Sequence, residues 1–173
     1  YRHGLSLLGI EVEHLDADCD EIQADTLQEV VLACIRQLRE AGHRNFMLDD
    51  SGLFVPSLNG FPGVYSAYVM QTIGCQGMLR LLEGLDRRAR FECCIGVCSD
   101  ELGDFTVTGM APGRIVHEER GSGGFGYDPI FAPEGQELTF AEMGMAEKNE
   151  RSHRGKAMAL LAAELRRRME GGA

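Results

Sequence analysis

The chain has 173 residues, 44% apolar and 25% charged, a globular composition that excludes collagen, coiled coil and disorder. A chain this long buries roughly 70% of its unfolded surface and needs no disulfide or metal to fold. Seventeen basic against twenty-seven acidic residues give a net charge of −10, which excludes a broad nucleic-acid-binding surface but not one small anion bridged by a divalent cation.

No basic-then-apolar signal segment opens the sequence. Residues 10–15 (IEVEHL) alternate and predict a strand. Residues 26–40 predict a helix whose apolar face is Leu27, Val30, Val31, Cys34, Ile35 and Leu38. Thr26 suits its N-cap, and Glu29 stands three residues later at the capping-box spacing. Residues 45–48 make a short apolar strand that runs into Asp49 and Asp50. The uncharged stretch 51–79 is broken by glycine and proline, so it reads as loop followed by buried helix, not as a membrane span. Residues 64–84 are mostly helical with a break near Gly74. Two strands are expected at 89–98 and 104–116, then a Gly/Pro-rich loop at 121–135 and a last helix at 152–170. That order predicts an α/β fold with a mixed, curved sheet flanked by helices. The six cysteines form no CxxC pair and no zinc spacing, and read as free buried thiols of a reducing cytosol.

Four segments carry possible chemistry, and each has a plainer reading beside it. Asp49-Asp50-Ser51-Gly52 at a strand end can bind magnesium and activate water, or can simply be a solvated turn. In 121–129 (GSGGFGYDP), Gly126 and its neighbours permit close backbone approach, Phe125 offers a stacking face, and Asp128 is fixed beside Pro129. The same loop can be a surface turn with its aromatic residues in the core. Lys148, Ser152, His153 and Arg154 can contact carbonyl or phosphate, or can decorate a helix start with Ser152 as the cap. Glu29 by itself reads as a capping residue.

Together, residues 48–69 (LDDSGLFVPSLNGFPGVYSAYV), 123–135 (GGFGYDPIFAPEG) and 139–157 (TFAEMGMAEKNERSHRGKA) resemble the inosine triphosphate pyrophosphatase family. The resemblance runs from about residue 5 to the end and implies one domain over 1–173: two lobes of mixed α/β structure around a central cleft, usually homodimeric. It implies magnesium-dependent hydrolysis of ITP, dITP and XTP to the monophosphate and pyrophosphate, in the cytoplasm. By position, Asp50 matches the catalytic aspartate, and Glu29, Asp49 and Asp50 the metal-linked carboxylates. Ser51, Phe125, Gly126, Tyr127, Asp128, Lys148, Ser152, His153 and Arg154 match substrate contacts.

The family opens with a strand and a (Thr/Ser)-x-Asn-x-x-Lys phosphate loop, whereas Tyr1-Arg2-His3-Gly4 looks like the helix that follows it. A helix lysine of the family falls at Cys34. Two missing cationic contacts, at roughly 1.5–3 kcal/mol each, would weaken triphosphate binding by about two to four orders of magnitude. The alternative expectation is therefore a homologue that binds purine nucleotides without turnover.

Overall fold

The computed structural model describes residues 1–171. A short helix α1 (Arg2–Ser6) leads into an extended segment, then α2 (Leu27–Glu40) and strand β1 (Phe46–Phe54). Helices α3 (Ser66–Thr72) and α4 (Gly74–Leu81) meet at Gly74, whose φ of +60° suits a glycine at the break. Strands β2 (Arg88–Cys98), β3 (Phe105–Ile115) and β4 (Phe131–Pro133) follow, then helices α5 (Met145–Arg151) and α6 (His153–Gly171). The sheet order is β1-β2-β3-β4, and every pairing is antiparallel. No helix among the described residues is long and apolar enough to cross a membrane.

Three buried clusters explain the layering. Leu27, Val31, Ile35 and Leu38 of α2 pack with Phe46, Phe54, Cys94 and Cys98 on one face of the sheet. Ala157, Leu161 and Leu165 of α6 pack with Cys93, Ile95, Val97 and Phe105 on the other. Cys93 and Cys94 thus face opposite layers, as alternation along a strand requires. The third cluster forms a second lobe around α3 and α4, with Leu53, Val69, Met78, Leu82, Phe91, Phe131 and Phe140. All six residues expected on the apolar face of α2 are buried. The α/β class, both long strands and the Gly74 break are as expected from the sequence.

Three local expectations are corrected. Residues 10–15 form no strand. Ile10 and Val12 pack on the α6-side cluster while Glu11 and Glu13 face solvent, so the alternation is real but no neighbouring strand pairs with it. β1 does not stop at the two aspartates: it continues through Phe54, in register with β2 from Phe46↔Cys98 to Phe54↔Arg90. Gly52 therefore lies inside a strand, where a Cβ would collide with the Gly63 carbonyl oxygen. Finally, the cysteines are not all free. Cys19 and Cys34 form a disulfide with Cα atoms 5.4 Å apart, while Cys75, Cys93, Cys94 and Cys98 are buried thiols. The two bridged residues are 15 apart in sequence and meet because the chain before α2 folds back along it. Spacing alone carries no trace of that contact.

Candidate active site

The strand extension separates the two aspartates. Along β1, Asp50 shares a face with Leu48 and Phe54, which pack on the α2-side cluster. Asp49 shares the other face with Met47, which packs on the α6 side. The adjacent pair expected from the sequence is thus divided between two environments.

On the α6 side, Arg154 Nη2 donates to Asp49 Oδ2 at 3.3 Å, and the Cys93 thiol lies 3.8 Å from the same oxygen. The Arg154 guanidinium also stands 5.9 Å from the centre of the Phe125 ring. Lys148 Nζ lies 4.6 Å from that ring and pairs with the buried Asp128 carboxylate at 2.5 Å. The Phe125 backbone N–H donates to the same Asp128 oxygen at 3.0 Å. Asp49, Arg154, Phe125, Lys148 and Asp128 therefore form one continuous cluster joining the sheet to the glycine-rich loop. Gly124 lies at φ +69°, and a Cβ there would collide with the Asp128 carboxylate.

The remaining loop and helix residues divide into presented and structural groups. Phe125 is 68% exposed, so one face of its ring is open to solvent. Gly126 is exposed at φ +59°, with its carbonyl facing the Cys75 thiol. Tyr127 is buried, and its hydroxyl donates to the Ser66 carbonyl at 2.6 Å, so it anchors the loop to α3. Ser152 is buried and its Oγ accepts from the Gly155 N–H at 3.0 Å, the helix-capping role that was its plainer reading. The His153 ring stacks on Phe91 with centroids 4.7 Å apart, and its buried Nδ1 has no partner. Burial, then the charges of Arg154 and Lys148, push its pKa down to about 4, so the imidazole is neutral at pH 7.

On the α2 side, Asp50 Oδ1 accepts from the Ser51 N–H at 2.9 Å, while Oδ2 is buried without a partner. On the opposite face, level with Cys93, the Ser51 hydroxyl is also buried and unpartnered. Burial and then the Glu21 charge push the Asp50 pKa up to about 6. In the sequence Glu21 is marked only by its place in the acidic run before the α2 cap. Glu29 is the contrasting case. Its carboxylate accepts from the Thr26 N–H at 3.0 Å and the Thr26 hydroxyl at 2.8 Å, completing the capping box. Those hydrogen bonds hold its pKa below the usual carboxylate range.

Among the described residues no group of three or more His, Cys, Asp or Glu side chains is arranged to hold a metal. Asp50 and Glu21 nonetheless suit a hard cation. One Asp50 oxygen lacks a donor, and the two carboxylates repel unless a positive charge relieves them. Magnesium is commonly held by one or two carboxylates, with water and phosphate oxygens filling the remaining positions.

The chain is 55% identical to the dITP/XTP pyrophosphatase of Thermococcus kodakarensis over 152 residues, covering 87% of this chain and 82% of that protein. It is 52% identical to the dITP/XTP pyrophosphatase of Pyrococcus horikoshii over 155 residues, covering 89% and 83%. Among solved structures, a HAM1 protein from Coxiella burnetii superposes with a TM-score of 0.81 at 30% identity, covering 95% of this chain and 92% of that one. The Staphylococcus aureus Ham1 protein gives 0.77 at 33%, covering 94% and 84%. The model of the Ham1 family matches residues 3–164, and the chain belongs to that family.

Proposed function

We propose that this protein hydrolyses deaminated purine nucleoside triphosphates, dITP, XTP and ITP, to the monophosphate and pyrophosphate. The observation that carries the reading is the cluster running from Asp49 through Arg154 and Phe125 to Lys148 and Asp128. It joins a strand bearing Asp50 to a loop with an exposed aromatic face, in a chain more than half identical to a dITP/XTP pyrophosphatase.

In this reading the base stacks on Phe125, with Gly126 allowing close approach. Arg154 donates to the 6-oxo edge, and neutral His153 supplies one N–H beside it. Adenine would present a donor to these donors, a mismatch that hydrogen-bonding sites reject strongly. Lys148 and Asp128 hold the loop and the sugar end of the base. Tyr127 and Ser152 act behind them, fixing the loop and the start of α6.

Asp50 orders the attacking water and takes its proton, a role suited to a carboxylate whose pKa approaches neutrality. Asp50 and Glu21 would hold Mg2+; Glu29, already engaged with Thr26, supports the helix that carries Cys34 and Gln37. When bound, the cation supplies charge neutralisation for the departing pyrophosphate. Asp49 orients Arg154. A homodimer belongs to the same reading, supported by exposed Phe61, Tyr65 and Tyr68 within eight residues of chain. Substrates of the nucleotide pool support a cytoplasmic location.

The test is magnesium-dependent pyrophosphate release from dITP, XTP, ITP and ATP. The deaminated substrates should turn over well ahead of ATP, and Asp50→Asn should lower the rate about a thousandfold while the circular dichroism spectrum is kept. Unchanged turnover in Asp50→Asn removes Asp50 from the mechanism. Equal turnover of XTP and ATP removes the specificity.

A further inference from the structure

Residues 10–25 contain no helix or strand except the bend entering α2, yet this segment carries Glu21. Three features hold it against α2 and the cluster beneath it. The Cys19–Cys34 disulfide ties it to the middle of α2. Gln37 makes a reciprocal pair with the Asp20 backbone, donating to its carbonyl at 2.8 Å and accepting from its N–H at 2.8 Å. Ala17 and Cys19 pack on the cluster that also holds Leu48 and Phe54, the β1 neighbours of Asp50 on that face. Glu21 follows the bridged cysteine by two residues and is exposed, and no side-chain hydrogen bond among the described residues sets its position. The bridge is the covalent member of the three, and the Gln37 hydrogen bonds are exposed to competing water.

We propose that the Cys19–Cys34 disulfide is a positioning clip that holds the Glu21 segment on the Asp50 side of β1, so that the two carboxylates take a divalent cation more tightly while the bridge is intact. The proposal rests on the reading of Asp50 and Glu21 as the cation-holding pair. Cys19 and Cys34 touch neither substrate nor cation; they act through Glu21. A dithiol opens the clip by exchange. Its two sulfurs lose two electrons and two protons to form a disulfide, and Cys19 and Cys34 take them up as thiols.

The experiment uses the full chain, oxidised and after treatment with dithiothreitol, with Mn2+ as probe and no nucleotide present. Denatured oxidised protein should show four reactive thiols and reduced protein six. Reduction should weaken Mn2+ binding, read by electron paramagnetic resonance, about tenfold, as loss of an outer-shell support does. Glu21→Gln should cause a similar loss, and reducing that variant should add less than a twofold change, because the clip acts only through Glu21. Amide exchange should quicken over 17–24 and stay unchanged in β2 and β3. With XTP, reduction should raise the half-saturating Mg2+ concentration and leave kcat at saturating Mg2+ within about twofold.

Six reactive thiols before reduction, equal Mn2+ affinity in both states, no Mn2+ binding by the oxidised protein, or additive losses in Glu21→Gln would each overturn the clip. If XTP is not turned over in either state while Mn2+ binding still follows the bridge, the hydrolase reading fails and the clip stands.

Discussion

Asp50 is the residue where activity and stability oppose one another. Its pKa is raised because burial and Glu21 disfavour the charged form, so its ionisation at pH 7 costs folding energy. Asp50 is partly exposed, and screening brings that cost to about 1–2 kcal/mol. Asp50→Asn should therefore raise the melting temperature at pH 7 by roughly 2–8 °C while lowering turnover about a thousandfold, with the gain vanishing below about pH 4. A melting series of both proteins checks this. Lys148 and Asp128 behave differently, since their carboxylate is buried with its partner. Lys148→Ala leaves that charge unpaired and should destabilise by about 3 kcal/mol, whereas Lys148→Ala with Asp128→Asn should recover most of the loss. Urea titrations of the two variants decide it. Arg154→Ala should narrow the ratio of XTP to ATP turnover, measured as kcat/KM. At this scale the sequence was informative where a residue's neighbours are local: the Thr26–Glu29 box and the Ser152 cap are readable from spacing. Glu21 near Asp50 and Cys19 against Cys34 were not, because those contacts depend on how an irregular segment lies across the sheet.

At the scale of elements, the placing of α6 depends on β3. A Cβ on Gly109 would collide with the Ala157 nitrogen and the His153 carbonyl oxygen, so glycine there lets the helix start lie directly on the strand. Gly109→Ala should push that start outward and carry His153 and Arg154 away from Phe125. The expected cost is about 1–3 kcal/mol in stability, with a larger fall in kcat/KM than the folded fraction explains, checked by chemical denaturation beside steady-state kinetics. The helices were legible because their apolar periodicity is strong, and α2 buries every residue of its expected face. β1 runs past its expected end for a physical reason. Asp49, Asp50, Ser51 and Gly52 are poor strand formers by composition, but nine consecutive pairings with β2 hold them extended. The 10–15 segment shows the reverse error, since alternation reports one-sided burial whether or not a ladder exists.

For the molecule as a whole, two half-buried titrations work against each other in acid. His153 titrates near 4 when folded against about 6.5 when unfolded, so its stabilising contribution is present above 6.5 and is lost as pH falls toward 4. Asp50 titrates near 6 when folded against about 3.9 when unfolded, so lowering the pH through that window relieves it. Wild-type stability should be nearly level between pH 4 and 6, and Asp50→Asn should expose a decline there; denaturant midpoints across pH measure both. The same titration predicts that kcat/KM at low magnesium falls as pH drops through about 6.

The nine rungs between β1 and β2 also bear on how this protein can change over time. Alternation turns strand length into parity. Deleting or inserting one residue upstream of Asp49 within β1, with the rest of the ladder held, would hand Asp50 to Arg154 and turn Asp49 toward α2. Loops such as 117–126 can drift in length without disturbing that parity, whereas this ladder can tolerate indels only in pairs.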